Sequence, residues 1–242
     1  TIRKGNFMQY KQIIFDVDDT LIDFAATEDF ALKSLFNRHR WELNADLQKQ
    51  YHSYNQGLWR QLEQGKLTYE DLSEMTFHDF IKEHFGLEID GKKTMDEYRS
   101  YFGQAHKLLP GVEDTLKFAK KAGYKLTVLS NGEKFMQNHR LELAGIKDYF
   151  DLIVTSEEAH YSKPDEHTFD YFFSRTEIGP NETIFFGDGL QSDILGAEKY
   201  GFDSIWYNHR HRRNILNLHP LFEVDNYAQF VKIMQNNFEK AY

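Results

Sequence analysis

Apolar and polar residues alternate along this chain in two regular patterns. Short apolar runs of strand length occur at 11–15, 125–129, 152–155, 183–186 and 204–207. Stretches with apolar residues at helical spacing lie among and after them, at 112–122, 133–144, 166–175, 192–200 and 226–237. Repeated strand–helix–strand units of this kind predict a parallel sheet with helices on both faces. The predicted fold class is therefore α/β, with a Rossmann-like parallel sheet as its core.

One long block interrupts this alternation directly after the first strand. From about Phe24 to His106 no run is typical of a strand, and apolar residues recur at helical spacing over 25–38, 45–64, 69–85 and 94–105. Asn44 and Thr68 precede two of these stretches and are good helix-capping residues. We therefore predict an all-helical insertion at 22–106 in an α/β core formed by 1–21 and 107–242.

Composition narrows the function classes. The 242 residues include 29 Lys+Arg against 38 Asp+Glu, a net charge of −9, which argues against a protein that coats nucleic acid or an anionic membrane. The absence of Cys excludes a disulfide scaffold, a Cys-zinc or iron–sulfur site and a Cys nucleophile. No apolar run is long enough to span a bilayer, and the first twelve residues lack the apolar core of a signal peptide. We expect a cytoplasmic monomer or weak dimer, with neither nucleic acid nor membrane as a partner.

Polar residues follow each predicted strand. The segments in question are Asp16-Val17-Asp18-Asp19-Thr20, Ser130-Asn131-Gly132, Lys163-Pro164, and Gly187-Asp188-Gly189 with Asp193 shortly beyond. Ligands of open α/β sheets bind beyond the carboxyl ends of the strands, so these groups are expected to share one site. Carboxylates converging there would repel one another unless a cation joined them. Oxygen ligands without His or Cys favour a hard ion, and Mg²⁺ is the predicted cofactor.

These segments, in this order, resemble the motifs of the haloacid dehalogenase (HAD) superfamily of phosphatases, and the insertion resembles that family's helical cap. In this interpretation Asp16 is the nucleophile that forms an aspartyl-phosphate, and Asp18 is the general acid and base. The resemblance also implies that Asp18 offers its backbone carbonyl to the metal. Lys163 would neutralise charge on the nucleophile and on the transferring group.

The remaining site residues are expected to bind phosphate or metal. Thr20 and Ser130 would donate hydrogen bonds to phosphoryl oxygens, and Asn131 is a further phosphate-binding candidate. Asp188 would ligate Mg²⁺ together with Asp16, and Asp193 would do so through water or support Lys163. We therefore expect a Mg²⁺-dependent phosphomonoester hydrolase.

Four further segments suggest the substrate. The segments Asn55–Trp59, Glu63–Thr68, Ile153–Glu158 and Trp206–Asn208 resemble bacterial 5′-nucleotidases that act on pyrimidine nucleoside monophosphates. This resemblance implies a 5′-nucleotidase for pyrimidine nucleoside monophosphates. The expected partner is thus a small phosphate monoester, a nucleotide, with Asn55 and Trp59 as substrate-binding candidates. Trp59 or Tyr54 could stack on a base, but large aromatic residues on helices usually pack in a core, and this alternative stays open for Trp59.

Other interpretations have less support. A phosphatase for sugar phosphates or other small metabolites, or a phosphomutase, would use the same core residues. A 2-haloacid dehalogenase needs neither Asp18 nor Asp188, and a non-enzymatic phosphate-binding protein would be expected to lack a catalytic residue. Gly187–Ser192 only approaches a dinucleotide-binding G-x-G-x-x-G pattern. The basic cluster His209–Arg213 could bind phosphate or nucleic acid. At a net charge of −9 we interpret it as an ordinary solvated loop, with the alternative that it borders the substrate channel left open.

Overall fold

The computed structural model of the protein describes residues 10–63 and 66–236, except for the side chains of 59, 60, 62 and 63. The chain divides into two compact units, one formed by 26–105 and the other by 1–25 with 106–242. Residues 22–25 and 106, which the sequence assigned to the insertion, therefore group with the α/β unit. No helix within the described ranges is long and apolar enough to cross a membrane.

The unit at 26–105 is built from helices around an aromatic core. The helices are α1 Phe24–His39, which begins two residues before this unit, α2 Ala45–Glu63, α3 Tyr69–Phe85 and α4 Gly91–Phe102. Tyr51, Phe77 and Phe80 are buried together in its core. These aromatic side chains pack against one another in the core, as is usual for large aromatic residues on helices.

Capping side chains set the helix starts in this unit. Asn44 accepts a hydrogen bond from the Leu47 amide at 2.8 Å, and Thr68 forms a capping box with Asp71, so both predicted caps are confirmed. Helix α4 begins at Gly91 rather than at the expected Thr94, since Asp90 caps it by accepting from the Lys93 amide at 2.9 Å.

The other unit contains a parallel sheet, as the sequence predicted. Among the described residues its strands are β1 Gln12–Phe15, β2 Lys125–Ser130, β3 Leu152–Thr155, β4 Thr183–Gly187, β5 Asp203–Tyr207 and β6 Phe222–Val224. Their order is β3-β2-β1-β4-β5-β6, and every neighbouring pair is parallel. Strand β1 therefore lies between β2 and β4, which brings the segments after these three strands to one edge.

Both faces of the sheet are covered. The covering helices are α5 Val112–Lys121, α6 Lys134–Leu143, α7 Ser156–Ala159, α8 Glu166–Phe173, α9 Leu195–Tyr200 and α10 Tyr227–Gln235. Successive strand residues face opposite sides, so Phe15 packs in one apolar cluster with Phe186 and Phe230, and Ile14 in another with Phe169 and Phe185. Burial on both sides explains why these strands read as unbroken apolar runs.

The helix expected at 192–200 has a different beginning. A wide π turn spans Leu190–Ile194, and α9 starts only at Leu195. The Gly189 carbonyl accepts from the Asp193 amide at 2.8 Å and from the Ile194 amide at 3.1 Å. The turn directs the Asp193 side chain back towards the end of β4, where it belongs to the site described next.

Candidate active site

Three carboxylates meet at the carboxyl edge of the sheet. Asp16 follows β1, Asp188 follows β4, and Asp193 comes from the π turn beyond β4. All three residues are buried, and each offers an oxygen within 4.8 Å of the other two. Buried like charges at this separation need a positive partner.

Lys163 supplies one such partner inside the protein. Its Nζ lies 2.7 Å from Asp16 Oδ1 and 2.7 Å from Asp193 Oδ1, and it donates to the Leu129 carbonyl at 2.8 Å. The three N–H groups of the ammonium are thus all used. The geometry holds Lys163 between two acidic groups and against the end of strand β2, one residue before Ser130.

The pKa values of these groups reflect competition between burial and charge pairing. Burial raises the pKa of Asp16 to about 7, against the opposing charge of Lys163 and with added repulsion from Asp193. Burial, together with the Asp16 and Asp193 charges, raises the pKa of Asp188 to about 8. Burial alone would lower the pKa of Lys163, but the two carboxylates outweigh it and raise that pKa. The charged form of Asp188 is therefore disfavoured at this site, although the charge of Arg212 acts against this.

The donor set fits a hard divalent cation. Asp16, Asp188 and Asp193 present only carboxylate oxygens, which are the ligands that Mg²⁺ prefers. Burial and the Asp16 and Asp193 charges disfavour the charged form of Asp188, so this form gains from additional positive charge. A cation at this position would provide it.

Close backbone approach keeps Asp188 and Asp193 in place. The Asp188 carbonyl accepts from the Trp206 indole at 3.0 Å, and the Gly189 amide donates to Asp193 Oδ2 at 2.9 Å. A Cβ added at Gly187 would lie 2.3 Å from Asp193 Oδ2, so no larger residue fits there without moving the carboxylate. The glycine at the end of β4 is thus required by the side chain six residues later.

The candidate phosphate-binding residues lie on adjacent segments. Thr20 Oγ1 accepts from the Asp188 amide at 3.0 Å, which joins the segment after β1 to the segment after β4. Asn131 uses its side-chain amide on the backbone of Lys163, accepting from its N–H at 2.8 Å and donating to its carbonyl at 3.0 Å. Asn131 therefore holds the lysine segment beside Ser130, which ends β2.

Asp18 points to a different set of partners from the other acids. Its carboxylate accepts from Arg140 at 2.7 Å and from Gln137 at 2.8 Å. Neither residue was identified from the sequence. Both are buried polar residues on α6, and such residues at inward positions of an otherwise apolar helix face are the signal that would have found them.

The basic loop after β5 is exposed to solvent over 210–213, as expected, and it also reaches the site. Arg210 donates to Asp19 at 2.7 Å, and Arg212 Nη1 lies 3.3 Å from Asp188 Oδ2. Asp19 has a left-handed backbone with φ of 59°, which Asp tolerates better than most residues. Local acidic groups attract the loop, an effect that the net charge of the whole chain does not reveal.

The two substrate candidates belong to helix α2. Asn55 is buried and its amide lies 3.4 Å from Glu28 Oε1. The side chain of Trp59 lies outside the described residues. Tyr54, the other stacking candidate, is half-buried, packs against Phe80 and donates to the Met75 carbonyl at 3.0 Å.

Comparison with known proteins places the chain among enzymes of related sequence. A family model for haloacid dehalogenase-like hydrolases matches residues 10–201. HAD-hydrolase YfnB of Bacillus subtilis is 33 % identical over 227 residues, which cover 93 % of this chain and 96 % of YfnB. A crystal structure of YfnB bound to magnesium matches with a TM-score of 0.87 at 32 % identity, over 93 % of this chain and 99 % of that one.

Two further relatives have named substrates. Pyrimidine 5′-nucleotidase PynA of Streptococcus pneumoniae is 33 % identical over 234 residues, covering 95 % of this chain and 97 % of PynA. Pyrimidine 5′-nucleotidase YjjG of Escherichia coli is 27 % identical over 228 residues, covering 94 % of this chain and 99 % of YjjG. Sequence similarity to these enzymes is consistent with this chain being a phosphatase.

Proposed function

This chain belongs to the haloacid dehalogenase-like hydrolase family, and from that premise we propose that it is a Mg²⁺-dependent phosphomonoesterase for pyrimidine nucleoside 5′-monophosphates. The observation that carries the proposal is the group of Asp16, Asp188 and Asp193 around the Lys163 ammonium. It combines a nucleophile, a fixed positive charge and oxygen ligands for a hard cation at one edge of the sheet. Those are the components that phosphoryl transfer requires.

In the first step, a carboxylate oxygen of Asp16 attacks phosphorus while the bond from phosphorus to the ester oxygen breaks. Asp18 gives its proton to the departing alkoxide, which leaves as an alcohol, and Asp16 becomes an aspartyl-phosphate. Lys163, which contacts Asp16 Oδ1, keeps that carboxylate in position for attack.

In the second step, Asp18 takes a proton from water as the water oxygen attacks phosphorus. The bond between phosphorus and Asp16 breaks, inorganic phosphate is released and Asp18 regains its acidic form. Thr20 and Ser130 donate hydrogen bonds to the phosphoryl oxygens in both steps.

Asp16, Asp188 and the backbone carbonyl of Asp18 hold the cation in this proposal, with Asp193 bound through water or acting on Lys163. When bound, Mg²⁺ neutralises negative charge on the phosphoryl group. The magnesium bound to YfnB supports Mg²⁺ as the cation.

The substrate class rests on the similarity to PynA and YjjG over nearly the whole chain. The core motifs contact only the phosphate that all monoesters share, so we assign the choice of substrate to the helical unit. Asn55 and Trp59 are the residues proposed to contact the nucleoside.

A panel of substrates tests the proposed function. The purified protein is assayed with UMP, dUMP, dTMP, AMP, glucose 6-phosphate and p-nitrophenyl phosphate, with Mg²⁺ or with EDTA. We expect Mg²⁺-dependent hydrolysis with the highest kcat/KM on the pyrimidine nucleotides. A preference for glucose 6-phosphate over every nucleotide would reject the nucleotidase assignment, and full activity in EDTA after dialysis would reject the metal-dependent mechanism.

A further inference from the structure

Helix α6 carries two buried polar residues directed at Asp18, the proposed general acid and base. Gln137 and Arg140 are three positions apart and therefore lie on the same side of the helix. Both are almost inaccessible to solvent. A buried guanidinium is costly without a good partner, so its contacts define what it does.

Each oxygen of the Asp18 carboxylate has its own donor. Arg140 Nη1 donates to Asp18 Oδ1 at 2.7 Å, and Gln137 Nε2 donates to Asp18 Oδ2 at 2.8 Å. Two donors on two different oxygens fix the plane of the carboxylate as well as its position.

The orientation of the Gln137 amide follows from the same network. Gln137 Oε1 accepts from Arg140 Nη1 at 3.2 Å, while Nε2 faces Asp18. A rotated amide would place Oε1 against a carboxylate and its N–H groups against a guanidinium. Only the observed orientation satisfies all three side chains.

Gln137 also connects Asp18 to the candidate phosphate-binding hydroxyl. Ser130 Oγ accepts from Gln137 Nε2 at 3.0 Å and from the Gly132 amide at 3.1 Å. These two bonds occupy both lone pairs of the oxygen, so the Ser130 hydrogen is directed to a third group as a donor. A Cβ added at Gly132 would lie 2.2 Å from Gln137 Nε2, which explains the glycine in this segment.

We propose that Gln137 and Arg140 are positioning residues that hold Asp18 and Ser130 as one unit, so that proton transfer and phosphate binding share a single geometry. This proposal rests on the proposed function, in which Asp18 protonates the leaving oxygen. The proton matters greatly for an alkoxide, such as that of a nucleoside, and little for p-nitrophenolate, which leaves readily without one. Loss of the positioning should therefore appear in the ratio of kcat/KM values for UMP and p-nitrophenyl phosphate.

The test compares Gln137→Leu with the wild type on these two substrates. General acid catalysis typically contributes about 10²–10⁴-fold, so we expect the ratio to fall by about 10-fold or more. Inhibition by inorganic phosphate should also weaken, because Ser130 loses a partner that orients its hydroxyl. Arg140→Met should lower the ratio in the same way, and Arg140→Lys, which keeps a donor for Asp18, should recover part of it.

Two further variants separate positioning from a general structural effect. Glu142→Gln, at an exposed position on the same helix, is the matched control and should keep the wild-type ratio. In an Asp18→Asn background the ratio is already low, and adding Gln137→Leu should lower it no further, because residues that act as a unit are not additive. If Gln137→Leu does not fold, Gln137→Met, with its more adaptable side chain, takes its place.

The outcomes distinguish this proposal from the one on which it rests. Wild-type protein that hydrolyses neither substrate refutes the proposed function and this inference with it. Wild-type turnover of both substrates with an unchanged ratio in the Gln137 and Arg140 variants refutes the positioning role alone. Equal losses on both substrates in those variants assign the two residues to folding and overturn the inference as well.

Discussion

Replacing Lys163 by Met tests whether the ammonium compensates the buried acids. The substitution keeps a long unbranched side chain but removes the charge and all three donors. Asp16 and Asp193 would then remain buried without their common partner, and the Leu129 carbonyl would lose its hydrogen bond. The Lys163 side chain is only 1 % exposed, so water does not replace the lost charge and hydrogen bonds.

The size of the effect follows from the burial of these charges. Removing one partner from a buried ion pair typically costs about 3–5 kcal/mol, since the remaining charge is left uncompensated. At about 2–4 °C per kcal/mol for a chain of this size, Tm should fall by about 6–20 °C. Mg²⁺ should restore part of the loss, because it supplies positive charge to the same carboxylates.

Urea unfolding of metal-free protein at pH 8, followed by circular dichroism, measures this loss. A high pH limits the proton uptake by which the acids would otherwise relieve part of the penalty. The double variant Lys163→Met/Asp193→Asn should lose less than the sum of the two single variants, as expected for residues in contact. Lys117→Met, which removes an exposed partner of Glu113, is the control and should leave the midpoint unchanged. A loss below about 1 kcal/mol in Lys163→Met would show that the buried charges do not depend on this lysine.

Three further predictions concern the metal, the glycine at the end of β4 and the helical unit. Burial raises the pKa of Asp188 to about 8, so the metal-free folded protein keeps a proton that the unfolded chain loses above pH ~4. The free energy of unfolding of the metal-free protein should therefore fall as the pH rises towards 8, and calorimetry should show Mg²⁺ binding more tightly over the same interval. A Mg²⁺ affinity that does not change between pH 6 and 8 would contradict this prediction. Gly187→Ala should weaken Mg²⁺ binding by displacing the Asp193 carboxylate, with Gly179→Ala, where a Cβ meets nothing within 4 Å, as the control that should bind normally. Trp59→Leu should lower kcat/KM for pyrimidine nucleotides by about 5–150-fold if the ring stacks on the base, while p-nitrophenyl phosphate turnover and Tm stay the same; a lower Tm with equal loss on both substrates would assign Trp59 to the core.

The sheet was predictable because its strands are buried on both faces and read as apolar runs. Strand β6 was missed, as its three residues include Glu223 and are too short to form a recognisable pattern. The π turn before α9 was missed for another reason. Its geometry depends on the Gly189 carbonyl and on the contacts of the Asp193 side chain, and periodicity does not record either.

In the site as well, the residues that could be predicted are marked by the local sequence, and the residues that were missed are defined by contacts between distant parts of the chain. Asp16 and Asp188 could be named because each directly follows a strand, where parallel topology directs side chains to one edge, and Lys163 because it lies in the segment that follows β3 and the short helix α7. Gln137 and Arg140 act through contacts with Asp18, more than a hundred residues earlier in the chain. The contact of Arg210 with Asp19 could not be predicted because the two residues are 191 positions apart, and a single sequence shows no such pairing.

The aspartyl-phosphate on Asp16 is the central claim, and chemical trapping tests it most directly. The protein is mixed with UMP and Mg²⁺, quenched in acid within milliseconds and reduced with borohydride, which converts an aspartyl-phosphate to homoserine. Peptide mass spectrometry should find homoserine at position 16 and unmodified aspartate at position 18. Asp16→Asn should give no homoserine and should also lack turnover. Homoserine at another position, or substantial turnover by Asp16→Asn, would contradict the mechanism.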